Sequence, residues 1–132
     1  METRRPLRVM VVDDQNSACR LITELVSKLL PDTEVAAFSD PHAALEWADQ
    51  NHPALSIIDY RMPYLDGQQF VKQLRANAGP VAKSTVVIVT AIDDDSIDDH
   101  VRAAGANHVI RKPVDPEAFS ALLREVREAC SG

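Results

Sequence analysis

The sequence has little cysteine, and its two cysteines form no recognisable site. Of the 132 residues only Cys19 and Cys130 are cysteine, and they lie near opposite ends of the chain. Structural zinc sites and redox motifs place their cysteines about two to four residues apart. We therefore expect two reduced thiols and a cytoplasmic protein.

The sequence also lacks a long apolar run. No stretch approaches the roughly 18 apolar residues that indicate a membrane-spanning helix. The basic start at Arg4 and Arg5 is not followed by the apolar core of a signal peptide, because Arg8 and then Asp13 and Asp14 interrupt it. We expect neither a membrane span nor a secretory signal.

An excess of positive charge is absent as well. The chain has 14 lysines and arginines against 20 acidic residues, for a formal net charge of −6. Without a basic stripe, direct binding of nucleic acid is not expected. The hydrophobic fraction of 45% and the charged fraction of 26% are ordinary for a globular protein. The length predicts one domain with a core of its own.

Short apolar runs alternate with amphipathic stretches along the chain. The apolar runs predict strands, and helical periodicity with capping residues predicts the helices between them. Asn16 or Ser17 is the expected N-cap of the first helix, and Gly105 is expected to end the fourth. Such alternation predicts a parallel sheet covered by helices on both faces. The predicted strands are residues 7–12, 34–38, 55–59, 84–90 and 107–111. The predicted helices are 17–30, one that opens at 39–41 and is broken by 51–53, 67–77, one that starts in the acidic run 93–99 and runs to about 104, and one that starts at 115–117.

Polar residues follow four of these five apolar runs. Asp13 and Asp14 end the first, Asp59 the third, Thr90 the fourth and Lys112 the fifth. In a parallel sheet the carboxyl ends of all strands lie at one edge, where open α/β sheets bind ligands. We therefore expect these five side chains to converge.

Three carboxylates close together repel one another, and a divalent cation removes that repulsion. Oxygen ligands suit Mg²⁺, and no histidine or cysteine lies at these strand ends to favour zinc. Lys112 can bind a phosphoryl group, Thr90 can donate a hydrogen bond to it, and Asp59 can act as the nucleophile. The pattern predicts phosphoryl transfer to an aspartate.

Each of these residues also has an ordinary interpretation. Asp13 and Asp14 could be favourable charges at the start of a helix, and Asp59 could cap the next helix. Thr90 could simply end a strand, and Lys112 could be a solvated loop lysine. It is the coincidence of all five at the correct strand ends that favours a phosphoryl site.

Five motifs of the sequence resemble the receiver domain of two-component response regulators. The resemblance covers nearly the whole chain. It implies one receiver domain over residues 1–132, with a doubly wound, flavodoxin-like (βα)5 sheet in strand order 2-1-3-4-5. The motifs are Val11–Asp14, Asp59–Gly67, Val89–Ala91, Gly105–Ala106 and Lys112–Pro113.

The resemblance implies a phosphorylation switch. Asp59 would accept a phosphoryl group from a histidine kinase or a phosphotransfer protein. Asp14 and Asp59 would bind Mg²⁺, or Mn²⁺ in its place, directly. Asp13 would act largely through water, and the backbone carbonyl of Arg61 would be a further ligand.

The family also assigns roles beyond the metal site. Thr90 and Lys112 would bind the phosphoryl group and carry the switch. An output domain or partner would bind the fourth helix, fifth strand and fifth helix, and phosphorylation could drive homodimer formation. The stretch at Asp59 and the stretch Phe38–Pro41 look similar to receivers that precede HD-GYP phosphodiesterase domains. The chain ends soon after its last helix, so a stand-alone receiver and the receiver of a longer regulator both remain open.

Two positions depart from the family pattern. Val109 stands where receivers usually have an aromatic partner for the switching threonine, so the usual coupling is not expected here. Ile92, with Arg61, flanks the path of the attacking water in the family. Since Ile92 cannot orient water by a hydrogen bond, we expect slow hydrolysis of the phosphoaspartate.

Two other functions are compatible with parts of this pattern. A phosphatase of the haloacid dehalogenase type also uses a strand-end aspartate and Mg²⁺, but it needs a second aspartate two residues later for acid–base work. Arg61 occupies that position, which disfavours an enzyme beyond self-phosphorylation and autodephosphorylation. A phosphorylation-independent interaction module, or pseudo-receiver, is the other alternative.

Overall fold

The computed structural model of the chain describes residues 7–131; Arg4, Arg5 and the side chain of Cys130 lie outside this description. Strands and helices alternate along it. Strands β1 to β5 are Leu7–Val12, Thr33–Phe38, Leu55–Asp59, Thr85–Thr90 and His108–Arg111. Helices α1 to α5 are Asn16–Leu29, Pro41–Asn51, Gly67–Arg75, Asp95–Ala104 and Pro116–Ser131, and a 3-10 turn at Pro80–Lys83 precedes β4.

The strands form one parallel sheet in the order β2-β1-β3-β4-β5. This confirms the predicted order and the doubly wound architecture. The register pairs Val12 with Ile58, Asp59 with Val89, and Thr90 with Arg111. The carboxyl ends of β1, β3, β4 and β5 therefore meet at one edge of the sheet.

Two apolar layers cover the sheet. Since successive strand residues point to opposite faces, each central strand contributes to both layers. One layer packs the sheet against α2, α3 and α4 and includes Met10, Ile58, Phe70 and Ile88. The other packs it against α1 and α5 and includes Val9, Val11, Ile57, Phe119 and Leu123. The core thus holds every strand end in a fixed place.

Local sequence explains where most helices begin. Asp40, directly before Pro41, accepts a hydrogen bond from the backbone N–H of His42 and caps α2. Asp94 caps α4 through the backbone N–H of Ser96. Carboxylates at these positions satisfy donors that have no partner within the helix. The predicted acidic start of the fourth helix is confirmed.

The expected N-cap of α1 is wrong. The N-cap is Gln15, which makes no capping hydrogen bond through its side chain, rather than Asn16 or Ser17. The reason is the preceding loop, in which the carboxylate of Asp13 accepts a hydrogen bond from the Gln15 backbone N–H at 2.9 Å. The carboxylate of Asp13, at the end of β1, thus bonds to the residue that precedes α1, and no side chain caps the helix locally.

At the amino ends of β4 and β5, Arg75 joins the end of α3 to its neighbours. Its guanidinium donates to the carbonyl oxygen of Gly105, twice, at 3.0 and 2.7 Å. It also donates to the carbonyl oxygens of Ala82 and Ser84 and to the side-chain oxygen of Asn107, at 3.0, 2.7 and 3.0 Å. Gly105 ends α4 at φ +121°, a conformation that favours glycine. Arg75 therefore anchors the carboxyl end of α4.

None of the helices within residues 7–131 combines the length with the apolar character that crossing a bilayer requires.

Candidate functional site

Asp13, Asp59 and Lys112 form an ionic cluster at the carboxyl edge of the sheet. The Lys112 Nζ lies 3.2 Å from Asp13 Oδ2 and 3.3 Å from Asp59 Oδ1. Asp13 is 1% exposed and Asp59 is 8% exposed, so both carboxylates are buried. The side chains predicted from the ends of strands one, three and five therefore do come together.

Asp14 completes an acidic group. One carboxylate oxygen from each of Asp13, Asp14 and Asp59 can be chosen so that all three oxygens lie within 4.8 Å of one another. The group offers oxygen donors alone, and exposed Asp14 leaves one side open to solvent. This donor set could hold a metal ion, and its chemistry fits the predicted Mg²⁺ better than zinc.

A cleft of about 290 Å³ opens beside these carboxylates. Thr90 lies in its wall and is buried, with its hydroxyl oxygen accepting a hydrogen bond from the Ile92 backbone N–H at 3.1 Å. The Thr90 proton therefore remains available to a ligand. The residues that line the cleft are Asp14, Gln15, Asp59, Arg61, Thr90, Ala91, Ile92 and Lys112.

A tight loop presents Asp59 to the cleft. After β3 the chain turns back so closely that the Gly67 backbone N–H donates to the Tyr60 carbonyl oxygen at 2.7 Å. A Cβ atom at Gly67 would lie 2.9 Å from the Tyr60 Cα, so this approach requires glycine. The glycine of the sequence motif therefore fixes the end of β3 and the Asp59 side chain at that end.

The electrostatics of the site are unbalanced. Burial, and then the neighbouring charge of Asp13, raise the pKa of Asp59 from 3.8 to about 6, although Lys112 opposes the shift. Burial works to lower the pKa of Lys112, but the carboxylates of Asp59 and Asp13 outweigh it, so that pKa is raised. The site thus carries more negative charge than its own lysine neutralises.

The buried thiol of Cys19 packs beneath the carboxyl edge of the sheet and contacts backbone carbonyl oxygens there. Its sulfur donates to the carbonyl oxygen of Asp13 at 3.2 Å and also lies 3.4 Å from that of Phe38. Burial, together with the charge of Asp13, raises the pKa of the thiol. A protonated thiol is a poor nucleophile, so Cys19 acts as a packing residue that positions Asp13.

The two departures from the expected pattern lie where the sequence places them. Ile92 and the exposed Arg61 both line the cleft, and Val109 is half-buried in β5 against the α4 side of the sheet. Gln15 was missed as a lining residue. The signal available was its position directly after Asp14, in the same strand-end loop.

Comparison with known proteins identifies related chains. The family described as "Response regulator receiver domain" matches residues 9–124. The "Cyclic di-GMP phosphodiesterase response regulator RpfG" of Xanthomonas campestris pv. campestris is 31% identical over 125 residues, which are 95% of this chain. This chain spans only 31% of the length of RpfG. The "Probable chemotaxis protein CheY" of Rhizobium etli is 26% identical, and the match covers 96% of both chains.

Solved structures lead to the same fold. The chemotaxis protein CheY4 of Vibrio cholerae superposes with a TM-score of 0.83 at 25% identity, over 92% of this chain and 98% of that one. The sheet order found here is therefore shared with a chain of almost the same extent.

Proposed function

This chain belongs to the family of response regulator receiver domains, and from that membership we propose that Asp59 accepts a phosphoryl group and so makes the domain a signalling switch. The observation that carries the proposal is that Asp59 lies beside Lys112 and two further carboxylates and lines an open cleft. A buried carboxylate at a strand end, with a cation on one side and a hydroxyl nearby, suits transfer of a phosphoryl group.

The transfer needs little from the protein beyond positioning and charge. An Asp59 carboxylate oxygen attacks phosphorus, forming a P–O bond. The P–N bond of a phosphohistidine breaks, and the imidazole nitrogen leaves with the electron pair and takes a proton from solvent. Before transfer the ammonium of Lys112 forms ion pairs with Asp13 and Asp59. During transfer it moves to bind a phosphoryl oxygen. The Thr90 hydroxyl donates a hydrogen bond to another phosphoryl oxygen.

Asp13, Asp14 and Asp59, with the backbone carbonyl of Arg61, would hold Mg²⁺ or Mn²⁺. The spacing of the carboxylate oxygens and the lack of sulfur or nitrogen donors among them support this assignment. The ion would supply the positive charge that neutralises the phosphoryl oxygens and relieves repulsion among the carboxylates.

The same proposal extends to partners and setting. The donor is a histidine kinase or a phosphotransfer protein, and the change is read by an output domain or partner at α4, β5 and α5, with a homodimer as one form of the active state. The match to RpfG favours the receiver of a longer, HD-GYP-type regulator, in which catalysis would belong to another domain. The receiver itself, over residues 1–132, would be cytoplasmic and would catalyse only its own phosphorylation and dephosphorylation.

Intact-mass measurement after incubation with Mg²⁺ and acetyl phosphate tests the proposal. We expect one phosphoryl adduct on the parent, none without Mg²⁺ and none on Asp59→Asn. Asp99→Asn, which removes an exposed carboxylate of α4 outside the cleft, serves as the matched control and should still form the adduct. If neither the parent nor the control forms an adduct, the chain is instead a phosphorylation-independent interaction domain.

A further inference from the structure

Helix α4 has few apolar contacts with the rest of the domain. Within its ten residues, all of which the structure describes, Val101 is the one fully buried side chain, and Ile97 and Ala104 are half-buried. The carboxyl end of the helix is anchored because Arg75 donates two hydrogen bonds to the Gly105 carbonyl oxygen. The position of the opposite end, near the cleft, therefore depends strongly on its polar contacts.

Those contacts come from Arg111, the last residue of β5. Its Nη2 donates to Asp98 Oδ1 at 2.8 Å, and its Nε lies 3.6 Å from Asp93 Oδ1. The Arg111 and Asp98 side chains are 32% and 27% exposed, so solvent screens this pair less than a fully exposed one. One guanidinium thus joins β5 both to α4 and to the loop before it.

This ion pair is directly connected to the candidate phosphoryl site. Arg111 precedes Lys112 in the chain and pairs with Thr90 in the sheet. From Thr90, the hydroxyl accepts a hydrogen bond from the Ile92 N–H, and Asp93 is the next residue of that loop. A displacement of Thr90 by a phosphoryl group in the cleft therefore reaches Asp93 within three residues of chain.

We propose that the contacts of Arg111 with Asp98 and Asp93 form a latch, which holds the 91–94 loop and the first turns of α4 in the unphosphorylated arrangement. The inference rests on the proposed function of Asp59 and adds the regulation of that site. Val109 leaves β5 without the aromatic side chain that receivers usually have there, whereas Arg111 gives β5 a different contact with α4. Phosphorylation would have to open the latch while Arg75 keeps the distal end of α4 in place.

The latch has consequences for the unphosphorylated protein. An interaction made in only one of two arrangements biases the equilibrium by its own free energy. A phosphodonor reacts best with molecules in which the latch is open. The apparent rate of phosphorylation is therefore lower when fewer molecules have an open latch. For a partly exposed ion pair we expect an effect of about twofold to tenfold.

The test compares Asp98→Asn with Asp99→Asn. Both changes remove one negative charge from the same turn of α4 with almost no change in shape, but Asp98 alone of the two contacts Arg111. Hydrogen exchange is measured on amides 97–100 in the absence of a phosphodonor, and phosphorylation by acetyl phosphate with Mg²⁺ is followed by intact mass. A charge-reversed pair, Arg111→Asp with Asp98→Arg, tests for rescue.

We expect Asp98→Asn to exchange amides 97–100 faster, and to be phosphorylated about twofold to tenfold faster, than Asp99→Asn. Amides 104–107, beside Arg75, should be unchanged, and the reversed pair should return both rates toward those of the parent. Equal exchange in the two single variants overturns the latch. Hydrogen exchange is measured without phosphoryl transfer, so it tests the latch whether or not the parent is phosphorylated. A parent that forms no phosphoryl adduct would contradict the proposed function alone.

Discussion

The two ends of the sheet hold buried charge in different surroundings. At the amino end, Arg75 is half-buried and its guanidinium makes five hydrogen bonds to neutral oxygen atoms. At the carboxyl end, Asp13 and Asp59 are buried with Lys112 between them, and Asp14 adds a third carboxylate. Burial lowers the pKa of Arg75, whereas burial and mutual repulsion raise the pKa of Asp59 to about 6.

The difference contrasts a structural site with the proposed functional one. The Arg75 guanidinium has hydrogen-bond acceptors within the protein, so it needs no ligand to satisfy it. The three carboxylates at Asp59 have only Lys112 to neutralise them, and perturbed charges of this kind concentrate at functional sites. Four changes to the sequence, taken from the largest expected effect to the smallest, test this contrast.

Removal of Arg75 should have the largest effect on stability. Arg75→Ala leaves the carbonyl oxygens of Gly105, Ala82 and Ser84 without this donor, and we expect the free energy of unfolding to fall by about 2–4 kcal/mol. Urea unfolding measures this change. Arg8→Ala, which removes an exposed ion pair with Glu34 and an exposed hydrogen bond to the Asn51 carbonyl oxygen, is the control and should cost less than about 1 kcal/mol. Equal losses in the two variants would contradict the structural role of Arg75.

Neutralising Asp59 should have the opposite sign. In Mg²⁺-free buffer near neutral pH, Asp59→Asn should raise the free energy of unfolding by about 1–3 kcal/mol, because the fold disfavours the charged carboxylate. A raised pKa means that the folded parent binds a proton more tightly than the unfolded chain does. The parent should therefore lose stability as the pH rises from 3.8, the ordinary pKa of the carboxyl group, to about 6, and this contribution should be absent from the variant.

Mg²⁺ sharpens the same measurement. The ion should stabilise the parent more than Asp59→Asn and so narrow the gap between them. A variant that is less stable than the parent in Mg²⁺-free buffer would show instead that the ion pair of Asp59 with Lys112 outweighs its burial.

The apolar wall of the cleft should act on the lifetime of the phosphorylated state. Ile92 has no group that could orient an attacking water, so the phosphoaspartate of the parent should decay about threefold to tenfold more slowly than that of Ile92→Glu. Decay is followed by intact mass after removal of the phosphodonor. Ile92→Leu keeps the wall apolar and should decay like the parent; a parent that decays as fast as Ile92→Glu would remove Ile92 from this role.

Between the two ends, Ser56 offers the smallest test. Its hydroxyl is buried in β3 and has no hydrogen-bond partner among the described residues. Ser56→Ala should therefore raise the free energy of unfolding by about 0.5–1 kcal/mol. Ser84→Ala is the matched control, since the Ser84 hydroxyl donates to the Val81 carbonyl oxygen and its loss should destabilise. The same sign in both variants would contradict this reasoning.

Sequence reasoning predicted the carboxyl edge well because its signals are local. A polar residue directly after an apolar run is visible in the chain, and parallel topology brings Asp13, Asp59, Thr90 and Lys112 to one edge. The strand order was confirmed as well. Boundaries were less exact: α3 ends at Arg75 rather than at Asn77, because the Asn77 side chain accepts from the Gly79 N–H and makes a turn.

The contacts of Arg75 and Arg111 could not be predicted in the same way. Arg75 binds mainly backbone carbonyl oxygens, which every residue has, so no residue type in the sequence identifies its partners. Arg111 contacts two of several neighbouring aspartates, and only the folded position of α4 and the loop before it selects Asp98 and Asp93. The predicted N-cap of α1 was wrong for a related reason, because the carboxylate of Asp13 accepts the hydrogen bond from the Gln15 backbone N–H.

The bond from Lys112 to Asp13 joins residues that are 99 positions apart in the chain. The strands that carry them are not neighbours, since β3 and β4 lie between β1 and β5. Contacts of such long sequence separation form only after the intervening segments have come together. During synthesis, the pocket is therefore unfinished until β5 has left the ribosome and joined the sheet. Readiness to receive a phosphoryl group would then report that all five strands have been made and have joined the sheet.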